Sequence, residues 1–232
     1  MKMIHSPKNN RGFSVTEMIV VILVLAILAA LMLPVLRGQA ERARTALCIS
    51  RLQQISLYLN AYAADHQMKI SFMRDGPTSR MWYTELAKHA GLSEVQARNA
   101  FGCPSLPSKD VTSWVCYGFR AGSFKPVKDD PGNSVRPGGT GTTGYYEFSY
   151  SSVPEPGKFF IMADTGTPSG KQTFRIIPPG LYSGSGIQAR HQERANVLFL
   201  DGHVEALDLK GLHGLRFETV LNSKGEQAAT LP

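Results

Sequence analysis

No residue from 18 to 36 carries a charge, in a chain where charged side chains make up 19% of the total. Other shortages narrow the function classes. No run of basic residues interleaved with aromatics appears downstream, so the net charge of +7 does not mark a nucleic-acid-binding face. Lys2, Lys8 and Arg11 supply three of those charges ahead of the apolar run, and 7 − 3 leaves +4 for the rest. No dense acidic cluster offers the six to eight oxygen ligands that calcium takes. No nucleophile-elbow pattern surrounds Ser183 or Ser185, and no internal repeat is found. Only three cysteines are present, Cys48, Cys103 and Cys116, so any single pairing leaves one thiol over.

The apolar run itself, MIVVILVLAILAALMLPVL, spans about 28 Å as a helix, close to the thickness of a bilayer core. It is longer than the apolar region of a secretory signal and has no clear cleavage site behind it. A plain signal anchor accommodates the length but not Glu17, because a carboxylate in a membrane helix costs up to about 2.5–3.5 kcal/mol at the centre and less near the end. A cut after Gly12 accounts for it. Phe13 then carries a positive amine, and Glu17 lies four residues on, on the same helical face and at the helix start where negative charge is favoured. The same carboxylate could instead neutralise the amine of a neighbouring subunit. The basic residues before the run predict a cytoplasmic N-terminus and an extracytoplasmic C-terminal bulk.

Gly12-Phe13-Ser14-Val15-Thr16-Glu17 and the apolar run behind it resemble the processing signal of type IV pilins and type II secretion pseudopilins. The resemblance implies that a membrane prepilin peptidase cuts between Gly12 and Phe13 and N-methylates Phe13. Pro34 stands where that family carries a helix-kinking proline, and a proline inside a helix removes one backbone hydrogen bond. The family fold is α+β: a long N-terminal helix, transmembrane in its first half, packed on a small antiparallel head.

Periodicity extends the helix beyond the membrane run. Cys48, Leu52, Ile55, Leu59 and Tyr62 recur at spacings of 4, 3, 4 and 3, one face of a helix reaching about His66. The expected organisation is a leader at 1–12, a transmembrane segment at 13–36, an amphipathic continuation at 37–66 and a globular head at 67–232. Within the head, 81–90 and 93–100 read as short helices, the second opened by the capping-box pair Ser93 and Gln96. Residues 113–119, 145–150, 158–163, 172–177, 195–200 and 203–207 read as strands, and the glycine-rich 121–144 as a loop. Asp201-Gly202 reads as a two-residue hairpin turn, and 209–221 as a short helix.

His191, nine further residues and then Asp201-Gly202 resemble the H-x9-DG element (here 191–202) of a large pilin-like subfamily. Cys48-Ile49-Ser50-Arg51-Leu52-Gln53 and Cys103-Pro104 match two more of its features. By residue chemistry, Asp201 orders its own turn and His191 docks against the hairpin. The alternatives are a calcium site using Asp164, Asp201 and backbone carbonyls, and a hydrolytic His/Asp pair. Zinc through His191 and His203 lacks identifiable further ligands. Cys103 and Cys116 would close a local loop, whereas Cys48–Cys103 would staple the long helix to the head. The subfamily match favours that second disulfide, with free buried thiols as the alternative. Trp82/Tyr83 and Tyr145/Tyr146 read as packing residues.

The expectation is a non-enzymatic subunit of a type II secretion pseudopilus or related type IV filament. It would sit in the inner membrane as a single-pass protein with an extracytoplasmic head. Its expected partners are the prepilin peptidase/N-methyltransferase, other pilin or pseudopilin subunits and secretion platform proteins, with no cofactor beyond the calcium alternative. The competing class is a membrane-anchored extracytoplasmic binding protein or enzyme that uses a pilin-type anchor.

Overall fold

A computed structural model describes residues 14–73, 81–105, 117–120, 136–138, 145–176, 186–215, 217 and 219–228. Gly12, Phe13, Cys116, Ser183 and Ser185 lie outside the described residues. The chain forms two compact units, Met1–Ala43 and Arg44–Pro232.

The long helix α1 covers Val15–Asp65 and continues through Pro34. Its character changes along its length. From Val15 to Met32 its large apolar side chains are exposed, while from Cys48 onward one face is fully buried. That face is Cys48, Leu52, Ile55, Leu59, Tyr62 and Ala63, the predicted seam extended by one residue. Arg51, off the seam, donates to the Gly102 carbonyl at 2.6 Å. After α1 the backbone reverses through Gln67 and Met68, both at positive φ, and Met68 N–H donates back to the Ala63 carbonyl.

The head is α+β. Strand β1 (Lys69–Met73) is followed by α2 (Trp82–His89) and α3 (Glu94–Phe101). The capping box at Ser93 and Gln96 forms as the sequence pattern predicts. Then come β2 (Gly118–Arg120), β3 (Arg136–Gly138), β4 (Tyr145–Ser149), β5 (Phe160–Ala163), β6 (Thr165–Gly166) and β7 (Arg175–Ile176). Strands β8 (Gly186–Ile187), β9 (Ala195–Phe199) and β10 (Val204–Leu207) precede α4 (Leu209–Gly214), which Asp208 caps through Gly211 N–H. The central sheet has the order β10-β9-β5-β2-β7, antiparallel except for β2 and β7. A second sheet is β1-β4-β3, and β6 pairs with β8.

The central sheet is covered on both faces, so β9 is buried along its whole length, Asn196 included, rather than alternating. Leu198 and Leu200 join the cluster on α1, while Val197 and Phe199 join a second cluster with Leu212 and Phe217. In β5, Ile161 and Met162 are consecutive yet both belong to the α1 cluster. A register shift between Phe160 and Met162 explains this, because the extra residue of a bulge breaks the two-residue alternation. Trp82 is core, as expected, and its indole N–H donates to the Phe174 carbonyl.

Several boundaries differ from expectation. Strand β1 was not predicted, and β3 falls inside the expected loop 121–144, where hydrogen bonding to β4 outweighs local glycine content. The segment before β5 is a 3-10 turn at Pro156–Lys158, where proline suits a helical first turn better than a strand. The β9–β10 loop has three residues, Leu200, Asp201 and Gly202, because Phe199 pairs with His203. Leu200 is drawn into the core, and Gly202 takes the left-handed φ of +94° that closes such a loop. Helix α4 ends at Gly214 rather than running to 221; Leu221 instead bridges to Gln188 and Gln227.

The two leucines on opposite faces of α1 test this packing. Leu52→Ala should lower unfolding free energy by about 2–5 kcal/mol, whereas Leu57→Ala, at a position 70% exposed, should change it by under about 0.5 kcal/mol. Chemical denaturation of the full chain in detergent checks both.

Candidate functional site

The N-terminal segment and the buried face of α1 each bring chemistry together. At the helix start Glu17 Oε2 accepts the Ser14 backbone N–H at 2.8 Å, and the Ser14 and Thr16 hydroxyls are hydrogen-bonded. A carboxylate in the first turn satisfies an otherwise unpaired amide and complements the helix dipole. Behind it, Val15–Met32 is long and apolar enough to cross a membrane, and none of it is buried within the chain.

In the head, four residues with no common sequence spacing converge. Cys48 comes from α1, Cys103 from just after α3, Asp164 from between β5 and β6, and His191 from the turn before β9. Their ligand atoms all lie within 4.8 Å of one another, and all four residues are buried. His191 Nε2 is 3.4 Å from Cys103 Sγ and 3.4 Å from Asp164 Oδ2. His191 Nδ1 meets the Thr45 hydroxyl at 3.2 Å, which fixes the ring plane.

Local structure explains each placement. His191 and Arg194 exchange both backbone hydrogen bonds around Gln192 and Glu193, each at positive φ, a two-residue turn that aims His191 inward. Gln172 clasps Cys103, accepting its N–H at 3.3 Å and donating to its carbonyl at 3.0 Å. Tyr117 donates to the Cys48 carbonyl. Asp164 Oδ2 accepts the Asn196 N–H at 2.8 Å, while its backbone bonds Asn196 and Gln188. Arg190 donates to the Thr165 carbonyl beside the cluster.

The electrostatics follow from this crowding. Burial disfavours a charged Asp164, but the hydrogen bond from His191 and the charges of Arg190 and His191 outweigh it and hold the carboxyl below the usual range. Burial likewise opposes a charged His191, and the bonds to Asp164 and Cys103 overcome it, raising the imidazole to about 10. The Cys48 thiol donates to Cys103, which raises Cys48 far above its ordinary value, with burial adding to the effect. The same bond lowers Cys103 to about 6, against burial and with help from His191. Among the described residues, Asp164 Oδ1 is buried without a hydrogen-bond partner.

The residues singled out in the sequence are regrouped here. Cys48 and Cys103, expected as a disulfide, are both free thiols within one cluster. His191 joins Cys103, Asp164 and Thr45 rather than ordering the hairpin tip. Asp164, the calcium candidate, faces sulfur and nitrogen donors instead of an oxygen cage. Asp201 stays in its turn: Oδ1 accepts the His203 N–H at 3.1 Å and meets its Nδ1 at 2.6 Å. His203 in turn stacks on Phe199. The turn nestles closely, for a side chain on Gly202 would meet the Ser56 hydroxyl of α1, and one on Gly157 would meet Asp201 Oδ2. Thr45 and Gln172 had no sequence signal as site residues, and Arg190 had only its adjacency to His191.

No curated protein and no solved structure significantly matches the chain. Residues 7–33 match the prokaryotic N-terminal methylation motif, so this segment carries a type IV pilin-like prepilin signal.

Proposed function

We propose that the chain is a pilin-like structural subunit, cut between Gly12 and Phe13, N-methylated on Phe13, and assembled into a type II secretion pseudopilus or related type IV filament. The observation that carries this reading is an apolar helix without protein cover placed directly within a methylation motif. Leaving a Val, Leu or Ile side chain in water forgoes about 1.5–3 kcal/mol each, so a run of them requires lipid or neighbouring helices. The inner membrane supplies the first environment and other pilin or pseudopilin subunits the second.

Glu17 is the positioning group. It caps the helix at Ser14 before processing. After the cut, the Phe13 amine becomes its counter-charge, on the same subunit or on a neighbour. Because lipid strengthens the attraction between unlike charges, this pair rewards one register of helix packing. The basic residues before the helix support a cytoplasmic N-terminus with the head on the other side of the membrane. The resemblance of residues 191–202 to the H-x9-DG element supports a pilin-like head, and its residues serve the fold: His191 is buried and Asp201 orders a turn. In this reading the protein is a substrate of the prepilin peptidase/N-methyltransferase and a partner of secretion platform proteins, not an enzyme.

Two variants test the proposal. Gly12→Val should block processing, leaving a leader of about 1.3 kDa (12 of 232 residues of a 25.4 kDa chain) detectable by intact mass. Glu17→Ala should be processed and membrane-bound yet lose the cross-linked subunit ladder of the wild type. A wild type without a ladder would point to an anchor alone and overturn the filament reading, and an unchanged ladder in the variant would overturn the role given to Glu17.

A further inference from the structure

We propose that Cys48, Cys103, Asp164 and His191 form a closed structural zinc site in the head. The donors are two thiolate sulfurs, one imidazole nitrogen and one carboxylate oxygen, each a ligand type that zinc takes, and four is its usual number in structural sites. Zinc bonds of about 2.0–2.3 Å in a tetrahedron set ligand atoms roughly 3.3–3.8 Å apart. His191 Nε2 lies 3.4 Å from both Cys103 Sγ and Asp164 Oδ2, and every donor is within 4.8 Å of the others. Small side-chain shifts then complete the coordination.

The surroundings are those of a metal site. Thr45 engages His191 Nδ1, which leaves Nε2 facing the cluster. Gln172 holds Cys103 through both backbone groups, and the Asn196 N–H orients the Asp164 carboxylate. Asp164 Oδ1 is buried and unpartnered among the described residues, an arrangement that an apolar interior does not tolerate without compensation. Charge also balances. Zinc with two thiolates, one carboxylate and a neutral imidazole leaves one net negative charge, and the adjacent buried Arg190 supplies one positive.

Competing ions fit less well. Calcium and magnesium prefer all-oxygen sites, and sulfur with imidazole selects a softer ion. A Cys48–Cys103 disulfide would use two of the four residues and leave the Asp164 and His191 donors beside it unused. Coordination would instead hold both thiols as thiolates outside the cytoplasm, where free thiols oxidise. No coordination position opens to solvent, since all four residues are buried, so the ion is structural rather than catalytic. Its effect is to tie α1 to the segment after α3 and to the adjoining ends of β5 and β9, joining parts of the chain that local sequence cannot hold together.

The full chain, purified in detergent without chelator, should carry about one zinc per molecule by elemental mass spectrometry. Stripping the metal should lower Tm by more than about 5 °C, and zinc but not calcium should restore it. Cys103→Ser and His191→Ala should lose the ion, while Asp201→Asn should keep it. Because loss of a core ligand can itself unfold the head, the wild-type chain supplies a second readout. Cobalt added to the stripped protein should give the thiolate-to-metal charge-transfer band of a tetrahedral site. A native Cys48–Cys103 disulfide in peptide mapping would overturn the proposal, as would a reduced, folded chain that takes up neither zinc nor cobalt.

Discussion

The buried face of α1 is the constraint on which the head depends. Cys48, Leu52, Ile55, Leu59 and Tyr62 form one stripe, and the sheet residues Ile161, Met162 and Leu198, with Leu200 from the hairpin loop, close over it. Removing that stripe would leave one face of the central sheet in water. The opposite face has its own cover in Leu212, Phe217 and Val220, so the sheet is a middle layer rather than a wall. This position explains why β5 and β9 are buried throughout and why one bulge suffices to send Ile161 and Met162 to the same side.

The same helix carries two kinds of apolar surface, and the difference is functional. Around Cys48–Tyr62 the apolar residues repeat at helical spacing and meet a protein core. Between Val15 and Met32 they surround the helix and meet nothing in the chain. A helix apolar on all sides is stable only where its whole circumference is covered, by lipid or by like helices. The prepilin-type motif on residues 7–33 connects that surface to processing and assembly.

The polar cluster sits at the end of the buried stripe, where α1 first enters the head's core. Four groups that each oppose burial lie side by side, and they are tolerable because each lowers the cost of the next. The His191 imidazole compensates Asp164, Cys103 accepts from Cys48, and Arg190 adds positive charge nearby.

Much of this was legible without coordinates. The helix, its seam, the capping box at Ser93, most strands and the N-terminal motif are local patterns, set by periodicity and by neighbours within a few residues. Cys48, Cys103, Asp164 and His191 were each visible as chemically notable, but in separate roles. Strand β1 depended on hydrogen-bond partners distant in sequence, in β4, whereas β3 and the three-residue hairpin loop turned on the register of neighbouring segments. By itself, the sequence determined that an uncharged helix follows a processing signal and that one face of its continuation is buried. Only the tertiary structure decided that four residues, separated by long intervals, share one buried point, because the strand order and the bulge bring them there and no local spacing encodes that meeting.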